Sequence, residues 1–99
     1  MPIIRIFQVV THEGKEAEFE TFFRKTAVPL MKSQTGIEQL VFGLPRAETP
    51  NEFSIVMVWK DLEAMKDFVG EEWRNPHIMP EEAVLVRERT IKHYELLSG

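Results

Sequence analysis

Hydrophobic residues recur along the chain with two different periods, which predicts strands alternating with helices. Two runs are almost continuously apolar and rich in β-branched residues, IIRIFQVV at 3–10 and EFSIVMVW at 52–59. Such residues suit a pleated sheet, and apolar side chains on both parities indicate strands covered on both faces. IEQLVFGL at 37–44 and the alternating RTIKHYEL at 89–96 are predicted as two further strands.

The segment between the first two predicted strands follows a helical period. The stripe that its spacing places on one face comprises Phe19, Phe22, Phe23, Thr26 and Leu30. Pro29 lies late in this helix and should kink or fray it, because proline lacks an amide hydrogen and its ring meets the preceding turn. Gly36 is a suitable end for the helix.

Helix signals also follow the third predicted strand. Asp61 is a suitable N-cap, and Gly70 can end the helix that it begins. The apolar positions between them are Leu62, Met65, Phe68 and Val69. Asn75 followed by Pro76 is typical of an N-cap and a first helical position, so a third helix is predicted to begin there.

The predicted order, β-α-β-β-α-(α)-β, is that of the ferredoxin-like split βαβ fold, an α+β class. We expect one domain over residues 1–99. One face of the sheet would pack on the helices. Both parities of the first and third strands are apolar, for example Phe7 and Val9 on one parity and Ile4 and Ile6 on the other, so the face without helices is also apolar and implies a partner. We therefore expect a homodimeric α/β barrel in which two sheets face each other.

Composition and charge exclude several classes of function. The net charge of −4 shows no basic footprint, so nucleic acid is not an expected partner. No apolar run approaches the roughly 18–20 residues of a membrane span, and the N-terminal stretch reads as a strand and not as a signal peptide. We expect a cytoplasmic protein that does not enter a membrane. The chain has no cysteine, and His12, His77 and His93 lack ligand spacing, so no metal site is expected.

The stretch VWKDLEAMKDFV at 58–69, followed by NPHI at 75–78, resembles the antibiotic biosynthesis monooxygenase family of dimeric α/β barrels. The resemblance covers nearly the whole chain. The family includes quinol and anthrone oxygenases, haem degraders and isomerases, and its pocket lies between sheet and helices. The resemblance implies a cofactor-independent monooxygenase that acts on a small quinol-like or polycyclic aromatic substrate.

The resemblance also implies catalytic candidates. Trp59 matches the family tryptophan at the end of the third strand, where an indole either stacks on a planar substrate or packs in the core. His77 resembles the iron ligand of haem-degrading relatives. It could instead be a general base that deprotonates the substrate before oxygen attacks, or a surface residue at a helix start. Those relatives carry an asparagine on the first strand, and Phe7 takes its place here, which argues against haem breakdown.

Further candidates would bind the small aromatic or hydrophobic ligand. Phe7 and Phe68, together with Trp59, would hold its rings, and Phe23 is a further substrate-binding candidate, although phenylalanines at such spacing also form cores. Arg5 could stabilise an enolate or phenolate, or form a salt bridge at the strand end. Trp73 is expected to act as a lid or a dimer contact.

Two rival functions remain open from the residues. One is a haem-binding or haem-degrading barrel with His77 as the iron ligand. The other is a non-catalytic barrel that holds a small hydrophobic ligand. Tyr94 on the last strand is either a dimer contact or a pocket hydroxyl, because the parity of the strand does not decide between them.

Overall fold

A computed structural model describes residues 1–76 and 78–97 of the chain. In this part of the chain, strands form an antiparallel sheet with the spatial order β2-β3-β1-β4. The strands are β1 (Ile3–Thr11), β2 (Ile37–Gly43), β3 (Glu52–Trp59) and β4 (Val86–Glu95). Helices connect β1 to β2 and β3 to β4, so the predicted ferredoxin-like α+β fold is confirmed.

The central pair of strands, β1 and β3, places its odd-numbered residues under the helices. In register, Arg5 lies opposite Met57 and Val9 lies opposite Phe53. These side chains are buried, with Val9 2% and Phe53 1% exposed. Because side chains alternate between the faces of a strand, this one parity of both strands forms the floor of the core.

The connection from β1 to β2 is an irregular helix. It consists of α1 (Glu16–Phe22), a π-helical turn (Phe23–Ala27) and α2 (Val28–Lys32). The amide of Val28 donates to the carbonyl of Phe23, five residues back. Pro29 follows immediately, near the N-terminus of α2, and it can neither donate to the carbonyl four residues before it nor avoid that carbonyl sterically. The irregularity predicted from Pro29 is present as this wide turn.

Helix α3 (Leu62–Val69) has the predicted boundaries. The carboxylate of Asp61 accepts a hydrogen bond from the amide of Ala64 at 2.8 Å, which is the expected N-cap contact. Gly70 ends the helix with φ of 88°, a left-handed conformation that costs glycine little.

The third predicted helix does not begin at Asn75, so that prediction is wrong. Residues 71–75 form turns and a bend, and the next helix, α4, covers only Pro80–Ala83. The amide side chain of Asn75 bonds to the Glu72 carboxylate at 3.1 Å instead of capping a helix. The carbonyl of Asn75 accepts from Arg5 at 3.5 Å. Tertiary contacts with the sheet therefore override the local capping signal.

Strand β4 begins at Val86, three residues before the predicted start, and ends at Glu95. Val86 pairs with Thr11 across a register shift that follows Val10. A bulge of this kind extends the strand pairing to residues 86–88, where apolar and polar residues do not alternate as in a strand. The predicted boundaries of β4 are therefore wrong at the start by the length of this extension.

The second face of the sheet carries the even-numbered residues of β1 and β3. Ile4, Ile6 and Val56 are half-buried there. At its edges, Val41 is 62% exposed and Tyr94, which pairs with Ile4, is 49% exposed. Tyr94 thus lies on the face away from the helices. Among the described residues, none of the helices has the length and apolar character needed to span a membrane.

Candidate active site

A cavity lies between the covered face of the sheet and the helices. It has a volume of about 60 Å³, counted as the space open to the centre of a water molecule. Its aromatic lining comprises Phe7, Phe19, Phe22, Phe23, Phe53 and Phe68. One water needs about 10–15 Å³ on this measure. The space therefore admits a few waters, and a ligand with several rings enters only when lining side chains move apart.

The structure brings most of the predicted ligand-binding residues together at this cavity. Arg5, Phe7, Phe23 and Phe68 all line it, although they come from β1, the π-helical turn and α3. The π-helical turn contributes both of its ends, Phe23 and Ala27. A π-turn widens a helix locally and is frequent at functional sites. Here it directs two residues of one turn toward the same space.

Arg5 is a buried cation at one end of the cavity, with 2% of its surface exposed. Its Nη1 donates to the carbonyl of Trp73 at 2.6 Å and lies 2.9 Å from Nε2 of His93. The sulfur of Met65 lies 3.9 Å from the same nitrogen. Burial lowers the pKa of Arg5 to about 10, so the guanidinium still carries its charge at neutral pH.

Neutral dipoles surround this cation. Within the described residues, no carboxylate forms an ion pair with Arg5. The strand-end salt bridge considered from the sequence is therefore not formed there. A buried charge without a counter-charge is costly, and carbonyl groups offset that cost only in part. The site consequently favours an anionic or strongly dipolar oxygen near Arg5.

His93 supports Arg5 from β4. Arg5 has only donors, so Nε2 of His93 must accept the hydrogen bond and the ring must be neutral. Burial lowers the pKa of His93, and the positive charges of Arg5 and Arg74 lower it further. The ring of Trp73 meets the His93 ring edge-on at a centroid distance of 5.1 Å. Together these groups hold the guanidinium in place.

Glu82 is a cavity residue that the sequence analysis did not single out. It lies on α4, is 3% exposed and lines the cavity. Its Oε1 lies 3.7 Å from Nε of Arg89 on β4. Burial raises the pKa of Glu82, although the charge of Arg89 acts in the opposite direction. No local period marks this carboxylate as inward-facing, because α4 covers only Pro80–Ala83 and Glu82 follows another glutamate, Glu81.

Trp59 does not line the apolar cavity. It is 1% exposed, and its ring stacks on Phe68 with centroids 5.8 Å apart and planes 26° apart. Its Nε1 is buried without a hydrogen-bond partner in the described structure. Trp59 also borders a polar groove, whose other lining residues are Gln34, Thr35, Gly36, Lys60, Asp61, Glu63, Ala64, Asp67 and Phe68. It thus supports the cavity through Phe68.

Trp73 and His77 complete the set of predicted residues. Trp73 is half-buried and lies beside the cavity without lining it. The guanidinium of Arg74 lies 4.1 Å from the centroid of its indole ring, and its carbonyl binds Arg5. His77 lies outside the described residues, so its role as base or iron ligand stays a prediction. Across the described ranges, no group of three or more histidines and carboxylates is placed to hold a metal ion.

Residues 2–75 match the family model described as antibiotic biosynthesis monooxygenase. No curated protein matches the chain. Several solved structures share the fold. A protein of unknown function from Nitrosomonas europaea, NE2512, is 18% identical with a TM-score of 0.77, over 99% of this chain and 91% of that one. PA3566 from Pseudomonas aeruginosa is 17% identical with a TM-score of 0.71, over 98% and 95%.

A third similar structure carries a stated activity. SnoaB from Streptomyces nogalater, described as a cofactor-independent oxygenase, is 20% identical to this chain. The match has a TM-score of 0.68 and covers 99% of this chain and 95% of SnoaB. At such identities the likeness of these structures establishes the fold alone. The assignment of the sequence to a family rests on the match of residues 2–75 to the family model.

Proposed function

Because the chain belongs to the antibiotic biosynthesis monooxygenase family, we propose that it is a cofactor-independent monooxygenase that oxidises a small quinol-like or polycyclic aromatic substrate. The observation that carries the proposal is Arg5, a cation that is 2% exposed at the end of an apolar cavity. The similar fold of SnoaB, a cofactor-independent oxygenase, supports the absence of a cofactor.

The chemistry needs an electron-rich anion, because dioxygen attacks a phenolate or enolate more readily than the neutral ring. Arg5 would stabilise the negative charge that develops on the substrate oxygen. The low dielectric of the cavity strengthens that interaction relative to water. Phe7, Phe23 and Phe68 would hold the rings by stacking and edge contacts.

Trp59 and His77 would act beside these residues. Trp59, predicted as a catalytic group, would support the ring of Phe68 from behind. The sequence predicts His77 as a general base, and the loss of oxygen uptake in His77→Ala would support that role. Trp73 would close the site through its carbonyl contact with Arg5.

The proposal includes a homodimer. The even-numbered face of the sheet carries the half-buried aliphatic residues Ile4, Ile6 and Val56, and a second copy of that face would cover them. Light scattering at micromolar concentration is expected to give twice the mass of the 11.6 kDa chain. A monomeric mass under those conditions contradicts the dimer.

The activity is tested by oxygen uptake with chelator-treated protein and a panel of anthrone and menadiol. We expect uptake above the autoxidation of each compound. Arg5→Met should lower kcat/KM by roughly 10²–10³-fold, as removal of one oxyanion donor does, and Arg5→Lys should retain more activity. Arg24→Met is the matched control, since Arg24 lies on the helix surface and pairs with Glu20.

Other outcomes separate the rival functions. Uptake no faster than autoxidation contradicts the oxygenase, and saturable binding of anthraquinone in the same protein then favours a non-catalytic barrel. A Soret shift with haemin that is lost in His77→Ala favours haem binding. The apolar Phe7 and the small cavity offer that last function the least support.

A further inference from the structure

The cavity holds a carboxylate as well as a cation, and we propose that Glu82 is the proton acceptor for the ligand bound there. Glu82 removes the proton of an acidic C–H or O–H group, while Arg5 binds the oxygen on which the negative charge settles. This inference rests on the proposed function and deepens it by naming Glu82 in place of His77 as the base.

The lining of the cavity leaves Glu82 as the acceptor. Among the described residues, the only ionisable side chains in that lining are Arg5 and Glu82. Arg5, with a pKa of about 10, holds its proton at neutral pH and donates hydrogen bonds. Every other lining side chain is aliphatic, aromatic or a methionine. A ligand proton released inside this space therefore meets one carboxylate.

The carboxylate also has unused hydrogen-bonding capacity. Oε1 of Glu82 is buried and has no hydrogen-bond partner in the described structure, and the same holds for Nε and Nη2 of Arg89. The two side chains approach to 3.7 Å, which is beyond a hydrogen bond. Buried polar groups are normally paired, so this oxygen is available to a proton that a ligand brings.

The surroundings make this carboxylate a better base than an exposed one. Burial raises the pKa of Glu82, while the charge of Arg89 and the backbone amide of Met79 act in the opposite direction by favouring the ionised form. Helix α1 contributes only Phe19 and Phe22 to the cavity. Within the described chain, the charged group that acts on the pKa of Glu82 is Arg89 on β4. A raised pKa brings a carboxylate closer to the range that suits general-base catalysis at neutral pH.

Arg5 and the Glu82–Arg89 pair lie at different positions along β1. Arg5 pairs with His93, whereas Arg89, the neighbour of Glu82, pairs with Val9. Four residues along β1 correspond to about 13 Å between Cα atoms, so Arg5 and Glu82, which both line the cavity, approach it at different points along β1. A fitting ligand is a flat ring system with its oxygen on one side and its acidic hydrogen on the opposite side. Anthrone has this arrangement across its central ring.

The step balances with dioxygen as the co-reactant. Glu82 takes a proton from the methylene carbon of anthrone, and the electron pair of the broken C–H bond spreads onto the oxygen at Arg5. Dioxygen adds to that carbon and is reduced to a peroxide, which takes up the proton. Loss of the second methylene hydrogen breaks the O–O bond, releases water and forms the new carbonyl. The sum is anthrone and dioxygen to anthraquinone and water.

The base is tested without oxygenation, by deuterium exchange at the methylene group of anthrone under anaerobic conditions, followed by NMR. We expect the wild-type protein to accelerate exchange, with a rate that falls as the pH drops through the raised pKa of Glu82. Glu82→Gln should lower the protein-catalysed rate by roughly 10²–10⁴-fold, the usual contribution of a general base. Glu81→Gln is the matched control, because Glu81 is the exposed neighbour on the same helix.

A second variant guards against misfolding. Glu82→Asp keeps the charge but withdraws it by one methylene group, and it should retain a reduced rate with the same acid limb. If circular dichroism shows that Glu82→Gln is unfolded, the exchange rate of Glu82→Asp and the wild-type pH profile decide whether Glu82 is the base. A Glu82→Asp rate equal to that of wild type together with a flat wild-type profile overturns the inference.

The outcomes distinguish this inference from the proposed function. Anaerobic exchange that depends on Glu82, with no oxygen uptake in air, upholds the base and contradicts the oxygenase. Oxygen uptake that is unchanged in folded Glu82→Gln upholds the oxygenase and overturns the base. Exchange that is lost in His77→Ala and kept in Glu82→Gln shows that His77 is the base and overturns the proposal for Glu82. The absence of exchange by wild-type protein saturated with anthrone also overturns that proposal.

Discussion

The two faces of the sheet are incomplete in opposite ways. The face under the helices buries Arg5 at 2% exposure without a counter-charge among the described residues. The open face leaves aliphatic side chains half-covered, from Ile4 and Ile6 in β1 to Val56 in β3. On the first face Arg5 lacks a paired anion, which a ligand can supply. The second lacks apolar cover, which another copy of the chain can supply.

The difference follows from geometry and not from composition. Both faces belong to the same strands and differ only in the parity of their residues. Helices enclose one face, where charge is costly and hydrogen bonds must be met locally. Water reaches the other, where scattered apolar atoms cost little singly but favour association when contiguous. The following changes test that contrast, beginning with the largest expected effect.

Removal of a large side chain from the covered face should be the most damaging change. Phe53→Ala is expected to lower the free energy of unfolding by about 3–5 kcal/mol, as Phe→Ala changes in cores do. Phe53 is 1% exposed, with ring centroids 4.7 Å from Phe19 and 5.4 Å from Phe23. Urea unfolding measures the loss.

The matched variant on the open face is Val41→Ala, at a residue that is 62% exposed. In dilute protein, where the chain is monomeric, we expect a loss of about 0.5 kcal/mol or less, as for ordinary surface substitutions. A cost for Val41→Ala in the monomer that approaches the cost for Phe53→Ala would show that the two faces are equally buried within one chain and would remove the contrast.

A charge on the open face should break the proposed dimer. Ile6→Lys puts an ammonium group beside Val56, its partner in the ladder. Burial of that charge against a second sheet is unfavourable, so we expect the dimer dissociation constant to rise by at least about 100-fold, or about 2.7 kcal/mol. Sedimentation velocity over a concentration series measures it. Ala17→Lys, on the exposed surface of α1, should leave the constant unchanged.

A substitution at Gly36 tests how tightly Trp59 packs beside the covered face. A methyl group at Gly36 would lie 2.7 Å from Cβ of Ala64 and 3.3 Å from Cε3 of Trp59. Gly36→Ala should therefore cost about 1–3 kcal/mol of overpacking, measured by chemical unfolding. Ala64→Gly in the same chain removes the closest contact, so the double-mutant cycle should show a favourable coupling. Strictly additive costs would mean that the two residues do not collide.

The smallest effect concerns pH. The folded state lowers the pKa of His93 below its ordinary value of 6.5, so the unfolded chain binds the proton more readily. Stability from this group is complete above pH 6.5 and is lost as the pH falls through the folded pKa. His93→Gln should abolish that part of the acid dependence.

The control for this pH experiment is His12→Gln, at an exposed residue, and it should keep the wild-type profile. The raised pKa of Glu82 changes stability in the opposite sense, but it is common to all three proteins and cancels in the comparison. An acid limb of equal size in wild type and His93→Gln would contradict the prediction.

Local signals in the sequence determined most of the fold. Strand β3 has the predicted bounds, and α3 begins after Asp61 and ends before Gly70 as predicted. These features depend on side-chain period and on caps that act within a few residues. Pro29 likewise marked the irregular turn, because its effect is exerted on its own helix.

The sequence by itself therefore determined the order of strands, the bounds of β3 and α3 and the apolar character of both parities of the central strands. Which parity the helices cover, and that Arg5, Phe7, Phe23 and Phe68 line one cavity, required the tertiary structure. Only the tertiary structure decided that the ring of Trp59 stacks on Phe68. It also decided that Asn75 does not cap a helix and that its carbonyl accepts from Arg5. It also decided that Glu82, in a run that looks solvated, faces the cavity. The physical reason is the separation along the chain over which each effect acts. Periods and caps are properties of neighbouring residues, whereas burial of a charge depends on elements that are distant in the chain and adjacent in space.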